Sequence, residues 1–324
     1  MHFTTRRLFL VWGVLGALAP AGFGARAAEP TTLTVFAAGT LAVPFKAIDA
    51  IFQKKYPNVT VQPQFGGSVK MAKQITELHK NADLLAVADY SVIPKYLFGG
   101  SGKQSYAKWY VGICRNAITF VYTNKSKGAA DVNSNNWYKV LARKGVEIGR
   151  SNPDTDPSGY QTVQMLNLAN KYYKDPNIEK SVLANAPLAN MRDTETSLIS
   201  ALQLGQIDYL AIYRSDALQH HFKFIKLPRK IDLSDPAESP RYAQGVVHTK
   251  NGTLAGRPIV YAITIVEGSK HADLAEKYVA LLLSPEGQAV MKKSGFGAFN
   301  PAYAVNPDAM PAGLQSMVKP WPRS

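Results

Sequence analysis

The sequence predicts an α/β protein with two lobes, and three observations support this prediction. From residue 33 onward, apolar runs typical of strands alternate with helical patterns, as in a parallel sheet whose strands are joined by helices. The alternation begins again after residue 123. About 296 residues follow residue 28, which is enough for two lobes of ordinary domain size.

The first part of the chain has a βαβαβ pattern. Strand-like runs occupy residues 33–37, 59–65 and 83–88, and residues 44–56 and 69–78 between them place apolar side chains at helical spacing. Strands joined in this way are expected to be parallel, with right-handed crossovers. Ligands of such sheets bind beyond the carboxyl ends of the strands, so the turns after the strands are the first places to look for a site.

The alternation continues along the rest of the chain. The predicted elements are a strand at 117–123, a helix at 137–144, a short extended segment at 146–149, a helix at 160–173, strands at 207–213 and 259–265, and helices at 272–282 and 285–293. The chain is expected to cross between the lobes near residue 118 and to return near residue 245. Lobe I is therefore predicted to comprise residues 29–118 and 245–324, and lobe II residues 119–244.

Residues 1–28 have the features of a secretory signal peptide. Arg6 and Arg7 precede an apolar run over residues 8–18, and residues 25–27 form an A-x-A cleavage signal. The apolar run is too short to span a membrane. The arginine pair also resembles a twin-arginine export signal, although two arginines are equally the usual charge of this region. We expect an exported protein.

Charge and cysteine content restrict the classes of partner. The formal net charge is +14, and the basic residues are scattered, without the alternation of basic and aromatic residues that nucleic-acid grooves use. No nucleic-acid partner is expected, and a basic exported protein attracts small anions or an anionic surface. Cys114 is the single cysteine, so no intrachain disulfide can form. We expect a monomer in which Cys114 is a small buried apolar residue.

Two hydroxyl residues lie where a predicted strand passes into a helix. Thr40 follows the first strand and Ser68 follows the second. A helix start carries unpaired N–H groups and a partial positive charge, so a hydroxyl there can help to hold an anion without a cationic side chain. The alternative is that Thr40 and Ser68 only cap their helices.

A third polar element, residues 151–160, precedes the helix predicted at 160–173. Asp156 or Ser158 could cap that helix. On electrostatic grounds, an acidic residue suits an anion site only if it accepts a proton from the ligand or binds a metal centre. Taken alone, the segment is typical of a turn.

The sequence gives little support for catalysis. His220 and His221 lack the ligand spacing of a zinc site, and the chain contains no G-x-S-x-G elbow, no P-loop and no H-E-x-x-H motif. Cys114 has no local signature of a nucleophile. The sequence therefore favours a binding protein over an enzyme, and a hydrolase on the same scaffold remains the alternative.

Six segments of the chain carry a family resemblance. They are VFAAGTLAVPF, FGGSVKMAKQI, ADLLAVADYSVIP, SNPDTDPSGYQ, IDYLAIYRSDALQHHFKFIKLP and RPIVYAITIV. In order and spacing, over residues 33–300, they resemble the tungstate/molybdate-binding proteins of ABC importers, most closely the branch common in archaea. The resemblance implies a type II periplasmic-binding-protein fold whose two lobes close on a tetrahedral oxyanion. It also implies a periplasmic carrier without a cofactor, which delivers molybdate or tungstate to an ABC permease.

The resemblance assigns ligand contacts to particular residues. The implied contacts are a first oxyanion seat at Gly39 and Thr40, a second at Ser68, a loop at Asp156, Pro157 and Ser158 that matches the Asp-Pro-Cys loop of the family, and a looser donor region at the backbone of Glu195 and Thr196. Threonine replaces the usual serine at the first seat, and serine replaces cysteine in the loop.

One position departs from the family. In the archaeal branch, a glutamate just before the Tyr-Arg-Ser motif binds the metal centre together with the aspartate of the loop, and here that position is Ile212. The segment instead resembles bacterial molybdate-binding proteins, in which a tyrosine at the place of Tyr213 donates a hydrogen bond to a tetrahedral ligand. We therefore expect a four-coordinate ligand, with Asp156 protonated or turned toward its own helix and Glu195 as the alternative source of a second carboxylate. Phosphate and sulfate remain alternative ligands.

Overall fold

The computed structural model describes residues 1–2, 30–100, 102, 104–297, 299 and 301–321. The predicted export signal lies almost entirely outside these residues, so the signal peptide and its cleavage remain predictions. Within the described ranges, none of the helices combines the length and the apolar character needed to cross a membrane.

The strands of the described residues are numbered in chain order. They are β1 Thr31–Ala38, β2 Val59–Gly66, β3 Leu84–Val87, β4 Tyr110–Arg115, β5 Ile118–Tyr122, β6 Ile148–Ser151, β7 Met191–Arg192, β8 Tyr209–Tyr213, β9 Lys223–Phe224, β10 Val246–Thr249, β11 Gly252–Ala255, β12 Val260–Ile265, β13 Ala302–Val305 and β14 Val318–Pro320.

The α-helices are numbered in the same way. They are α1 Ala42–Lys55, α2 Ser68–Thr76, α3 Val92–Tyr96, α4 Trp137–Leu141, α5 Pro157–Tyr173, α6 Ile178–Ala184, α7 Ile199–Leu204, α8 Arg214–Gln219, α9 Ser239–Tyr242, α10 Ala272–Leu283, α11 Pro285–Lys293 and α12 Ala312–Gln315.

The first sheet has seven strands in the order β14-β13-β4-β12-β3-β1-β2. Strand β1 is parallel to both β2 and β3, which confirms the predicted βαβαβ arrangement. Strand β12 is antiparallel to β3 and β4, because the chain enters this sheet from the opposite end after passing through the second sheet. Every position of β3 and β12 is buried, as expected for strands covered by helices on both faces.

The two faces of the first sheet belong to different parts of the core. Side chains at alternate positions of β1, such as Leu33 and Val35, pack with Phe45 of α1 and Tyr278 of α10. Phe36 points to the opposite face and packs in a second cluster with residues of α2 and α3. The period of two along β1 therefore buries both faces of the strand. Cys114 is buried as predicted, on β4.

The second sheet has five strands in the order β7-β6-β8-β5-β9. The chain leaves the first sheet at Arg115 and enters the second at Ile118. It returns through the hairpin β10-β11 and joins the first sheet again at Val260. The predicted α/β class is confirmed: the described residues form two large sheets, each packed with helices, and the separate two-stranded hairpin β10-β11.

The arrangement of the sheets decides where a site can form. The carboxyl ends of β1 and β2 point toward the second sheet, where α5 begins and β8 ends. A 3-10 turn at Gly39–Leu41 contacts another 3-10 turn at Glu195–Leu198, which comes from the other half of the molecule. The predicted site residues therefore come from both halves and meet at the boundary between them.

Candidate functional site

Thr40 and Ser68 are buried at the ends of neighbouring parallel strands. Thr40 lies in the 3-10 turn between β1 and α1 and is 3% exposed, and Ser68 is the first residue of α2 and is fully buried. The Thr40 hydroxyl shares a hydrogen bond of 2.8 Å with the hydroxyl of Tyr261 on β12. The Ser68 hydroxyl accepts a hydrogen bond of 2.9 Å from the backbone N–H of Ala88.

The capping alternative for these two hydroxyls is wrong. In the described part of the chain, neither α1 nor α2 has a side-chain cap hydrogen bond at its first turn. Both hydroxyls instead bond to groups brought from distant parts of the sequence. This is consistent with seats for a ligand, since the backbone N–H groups at both helix starts are left without a capping side chain.

Asp156 is the residue directly before α5 and follows a turn at residues 153–155. Its backbone is extended and Pro157 follows at the first helical position, where proline costs no hydrogen bond. The Asp156 side chain does not cap α5. A Cβ at Gly159 would lie 2.7 Å from backbone atoms of residues 151–153, so the loop can fold against the helix start only because position 159 is glycine.

Asp156 and Glu195 meet at the hydroxyl of Ser158. The Ser158 Oγ lies 2.7 Å from Asp156 Oδ2 and 2.9 Å from Glu195 Oε2, and it also contacts Ser151 Oγ at 2.5 Å. We call Asp156, Ser158 and Glu195 the carboxylate cluster. Burial raises the pKa of Glu195 well above its usual range, and the neighbouring charge of Asp156 raises it further. Both effects favour the protonated form of Glu195.

Asp216 is a further buried carboxyl group beside the cluster. It lies in the first turn of α8, is 1% exposed, and accepts a hydrogen bond of 3.2 Å from Ser215 Oγ. Burial raises the pKa of Asp216 to about 8, the Ser215 hydrogen bond opposes this rise, and the charge of Asp156 adds to it. Asp216 lies in the segment IDYLAIYRSDALQHHFKFIKLP, which carries part of the family resemblance. Its burial did not follow from the sequence, because no local pattern marks a carboxyl group as buried.

Tyr213, the last residue of β8, is fully buried with its hydroxyl already bonded. The hydroxyl donates to Gln161 Oε1 at 2.7 Å. Burial is the main cause that raises the pKa of Tyr213 well above its usual range. Electrostatic interactions with Tyr261, Asp156 and Glu195 raise it further. The Tyr213 hydroxyl is therefore near enough to Asp156 and Glu195 for their charges to act on it.

Ile212, at the position where the archaeal branch has a ligating glutamate, lies away from the carboxylate cluster. Neighbouring residues of a strand point to opposite faces, so Ile212 and Tyr213 cannot both face the cleft. Ile212 is fully buried and packs with Leu198 and Leu202 in a separate apolar cluster. A carboxylate at position 212 would therefore lie in that core, whereas Glu195 lies beside Asp156.

Two glycines allow the halves of the molecule to approach closely. A Cβ at Gly39 would lie 3.0 Å from Thr196 Oγ1, and one at Gly67 would lie 2.5 Å from the carbonyl oxygen of Thr155 and 3.1 Å from Asp156 Cβ. Both predicted oxyanion seats therefore lie against the loops that carry Asp156 and Glu195. The structure brings all the predicted contact regions together.

Hydrogen bonds across the boundary hold the two halves in contact. Tyr160 of α5 donates to Asp89 Oδ2, after β3, at 2.7 Å, and both residues are buried. At the surface, Lys70 Nζ lies 2.7 Å from Asp193 Oδ2. A pocket of about 360 Å³ opens beside Gly39 and next to Asp216. The two halves are therefore in contact on more than one side of the boundary, and the pocket lies at one edge of it.

Comparisons with known sequences agree on one family. A family model described as bacterial extracellular solute-binding protein matches residues 33–297. An uncharacterized solute-binding protein of Petrotoga mobilis is 35% identical over 293 residues, which covers 89% of this chain and 90% of the relative. The molybdate/tungstate-binding protein WtpA of Pyrococcus abyssi is 32% identical over 315 residues, which covers 89% of each chain.

Solved structures share the fold at lower identity. The periplasmic molybdate-binding protein of Azotobacter vinelandii has a TM-score of 0.61 at 17% identity, over 83% of this chain and 100% of the other. The sulfate-binding protein SubI of Mycobacterium tuberculosis has a TM-score of 0.59 at 14% identity, over 84% and 88%. These values show the two-lobed binding-protein fold, which is shared by carriers of different ligands.

Proposed function

The chain belongs to the bacterial extracellular solute-binding protein family, and we propose that it binds molybdate or tungstate in the periplasm for delivery to an ABC permease. In this proposal residues 1–28 are the export signal. The two lobes, 29–118 with 245–324 and 119–244, move as units that close on one oxyanion. The protein acts as a monomeric carrier, and it makes and breaks no covalent bond of a substrate.

The carboxylate cluster is the observation that carries the proposal. It lies where the turns of Thr40 and Ser68 supply hydroxyl and N–H donors, which suit the oxygens of a tetrahedral anion. Asp156 in its ionised form would repel an ordinary anion, and so would Glu195 once it loses its proton, because two like charges about 4 Å apart repel by about 4 kcal/mol even at an effective dielectric of 20. An acidic pair in an anion site therefore needs a specific reason.

The chemistry of the ligand supplies that reason. Molybdenum and tungsten in their oxyanions can accept additional oxygen ligands, whereas the sulfur of sulfate and the phosphorus of phosphate stay four-coordinate. Asp156 and Glu195 lie on either side of the Ser158 hydroxyl, so both are in reach of one small ligand. We propose that both carboxylates bind the metal centre, with Glu195 releasing its proton, in place of the four-coordinate ligand expected from the sequence. Glu195 then supplies the second carboxylate that this chain lacks at position 212.

The same pair provides selectivity. Sulfate gains nothing from two carboxylates and is repelled by them, so the site favours molybdate and tungstate. Phosphate carries a proton near neutral pH that one carboxylate could accept, and this makes it the more serious competitor. The hydrolase alternative gains no support, because the buried hydroxyls of Thr40, Ser68 and Ser158 have no histidine or lysine base among their bonded partners in the described residues.

Calorimetric titration of the mature protein tests the proposal. With molybdate and tungstate we expect sub-micromolar dissociation constants, about −8 kcal/mol or stronger. With sulfate and phosphate we expect no saturable heat at the same concentrations. Tight binding of sulfate or phosphate in place of molybdate, or heat from none of the four anions, would contradict the proposal.

A further inference from the structure

One buried amide beside the carboxylate cluster has a donor without an acceptor. Gln161 is 1% exposed, and its Oε1 accepts the hydrogen bond from the Tyr213 hydroxyl. Its Nε2 is buried and has no hydrogen-bond partner among the residues that the structure describes. Buried side-chain donors in folded proteins are nearly always paired, so this exception requires a physical reason.

Another buried amide of the molecule shows the usual arrangement. Gln74 of α2 is 6% exposed; its Oε1 accepts from Gln64 Nε2 at 3.2 Å, and its Nε2 contacts Met71 Sδ at 3.8 Å. All its partners lie in the same part of the first sheet and its helices. Gln74 therefore contributes to packing within one lobe, and it differs from Gln161 in having a partner on each side of the amide.

The position of Gln161 indicates what its free donor faces. On α5 it follows Ser158 by three residues, and residues at this spacing lie on the same side of a helix. The Tyr213 hydroxyl, which holds the oxygen of the amide, is close enough to Asp156 and Glu195 for their charges to act on it. The amide of Gln161 therefore lies on the side of α5 that carries Ser158 of the carboxylate cluster.

We propose that Gln161 Nε2 donates a hydrogen bond to an oxygen of the bound oxyanion, and that Tyr213 positions the amide for this contact. The inference rests on the proposed function and adds a ligand contact that the sequence did not indicate. The oxygens of a fully deprotonated oxyanion only accept hydrogen bonds, so the NH₂ group of an amide is a suitable partner. Tyr213 would then act on the ligand through Gln161, because its own hydrogen is used in holding the amide oxygen.

The test compares Gln161→Met with Gln74→Met, which removes a paired amide of the same size. Molybdate affinity is measured by calorimetry, and the melting temperature is measured without ligand. For Gln161→Met we expect affinity to fall by roughly tenfold or more, as for loss of a hydrogen bond to a charged group. Its ligand-free melting temperature should change little, because removal of the unpaired donor offsets loss of the acceptor of the Tyr213 hydroxyl. For Gln74→Met we expect unchanged affinity and a lower melting temperature.

Nuclear magnetic resonance provides a second readout that does not depend on a variant. The side-chain NH₂ resonances of Gln161, assigned through bonds in the wild-type protein, should shift downfield when molybdate is added to saturation. Absence of a shift, or Gln161→Met binding within twofold of the wild type, would overturn the inference while leaving the proposed function intact. A wild-type protein that binds none of the four anions would overturn both.

Discussion

Two buried hydrogen bonds between tyrosine and aspartate have the same length and different consequences. Tyr278 of α10 donates to Asp49 of α1 at 2.7 Å, and Tyr160 of α5 donates to Asp89 at 2.7 Å. The aspartates are 7% and 3% exposed. The first pair joins two helices on one face of the first sheet. The second pair joins the first sheet to a helix that packs on the second.

The difference shows how one interaction can contribute to stability in one place and to affinity in another. The bond between Tyr278 and Asp49 does not cross the cleft, so it is present whether the cleft is open or closed. The bond between Tyr160 and Asp89 crosses the boundary, so under the proposed closure of the lobes it exists only when the halves are in contact. It therefore favours the closed form, and a ligand that binds the closed form binds more tightly as a result.

Tyr278→Phe should have the largest effect, and the effect should fall on stability. Burial raises the pKa of Asp49 to about 6, and the Tyr278 hydrogen bond opposes this rise by favouring the ionised form. Loss of a hydrogen bond to a charged group costs about 1.5–3 kcal/mol of unfolding free energy. Thermal unfolding should show a melting temperature lower by roughly 2–4 °C for each kcal/mol, and the calorimetric affinity for molybdate should not change.

The pH dependence of this loss follows from the raised pKa of Asp49. Because the pKa of Asp49 is higher in the folded than in the unfolded protein, its protonated form contributes to folding stability. This contribution is fully present below the unfolded pKa and is lost as pH rises through about 6. In the wild type, the Tyr278 hydroxyl stabilises the ionised form of Asp49 and so offsets part of this loss, and Tyr278→Phe lacks that hydroxyl. The difference in melting temperature between wild type and Tyr278→Phe should therefore be larger at about pH 8 than at about pH 4. A larger difference at the lower pH would show that Asp49 is not the group concerned.

Tyr160→Phe should show the opposite distribution of effects. Without the hydroxyl, the closed form loses a hydrogen bond worth about 1 kcal/mol, while in the open form both groups can bond to water. Molybdate affinity should fall by roughly threefold to tenfold, and the ligand-free melting temperature should change less than in Tyr278→Phe. Each variant serves as the control for the other. If Tyr160→Phe and Tyr278→Phe lose equal stability and neither loses affinity, both bonds contribute only to stability and the account is contradicted.

Lys70→Ala should have the smallest effect. Lys70 and Asp193 also pair across the boundary, but their side chains are 48% and 55% exposed. Exposed ion pairs contribute about 0–1 kcal/mol and are screened by salt. Molybdate affinity in low salt should fall by less than about threefold, and the difference should vanish at high salt. A loss of affinity that persists at high salt would show that the exposed pair contributes as the buried pair of Tyr160 and Asp89 does, and that burial does not explain the difference between them.

The sequence was sufficient for the elements whose signal is local. The parallel arrangement of β1, β2 and β3 followed from alternating apolar patterns, and the helices around them were placed to within a few residues. The positions of Thr40 and Ser68 at strand ends followed from the same pattern. Short elements such as α7 and β9 have too few residues to show a period, and they were not predicted.

The carboxylate cluster shows what sequence patterns cannot supply. Asp156 belongs to a recognisable loop, but its partner Glu195 is 39 residues away and no spacing rule connects them. The family motif has its second carboxylate at the position of Ile212, one residue from Tyr213, where this chain has none. Since the side chains of a strand alternate, that single residue decides between the cleft and the core. The contacts of Tyr261 and Gln161 likewise depend on how distant strands and helices meet.

X-ray absorption at the metal edge of the molybdate complex tests the central claim most directly. The claim is that Asp156 and Glu195 both bind the metal of the oxyanion. For the wild-type complex we predict a six-coordinate centre, with oxygen ligands beyond the four of free molybdate, and a lower coordination number in Asp156→Asn and in Glu195→Gln. A tetrahedral centre in the wild-type complex, unchanged in both variants, would contradict the claim.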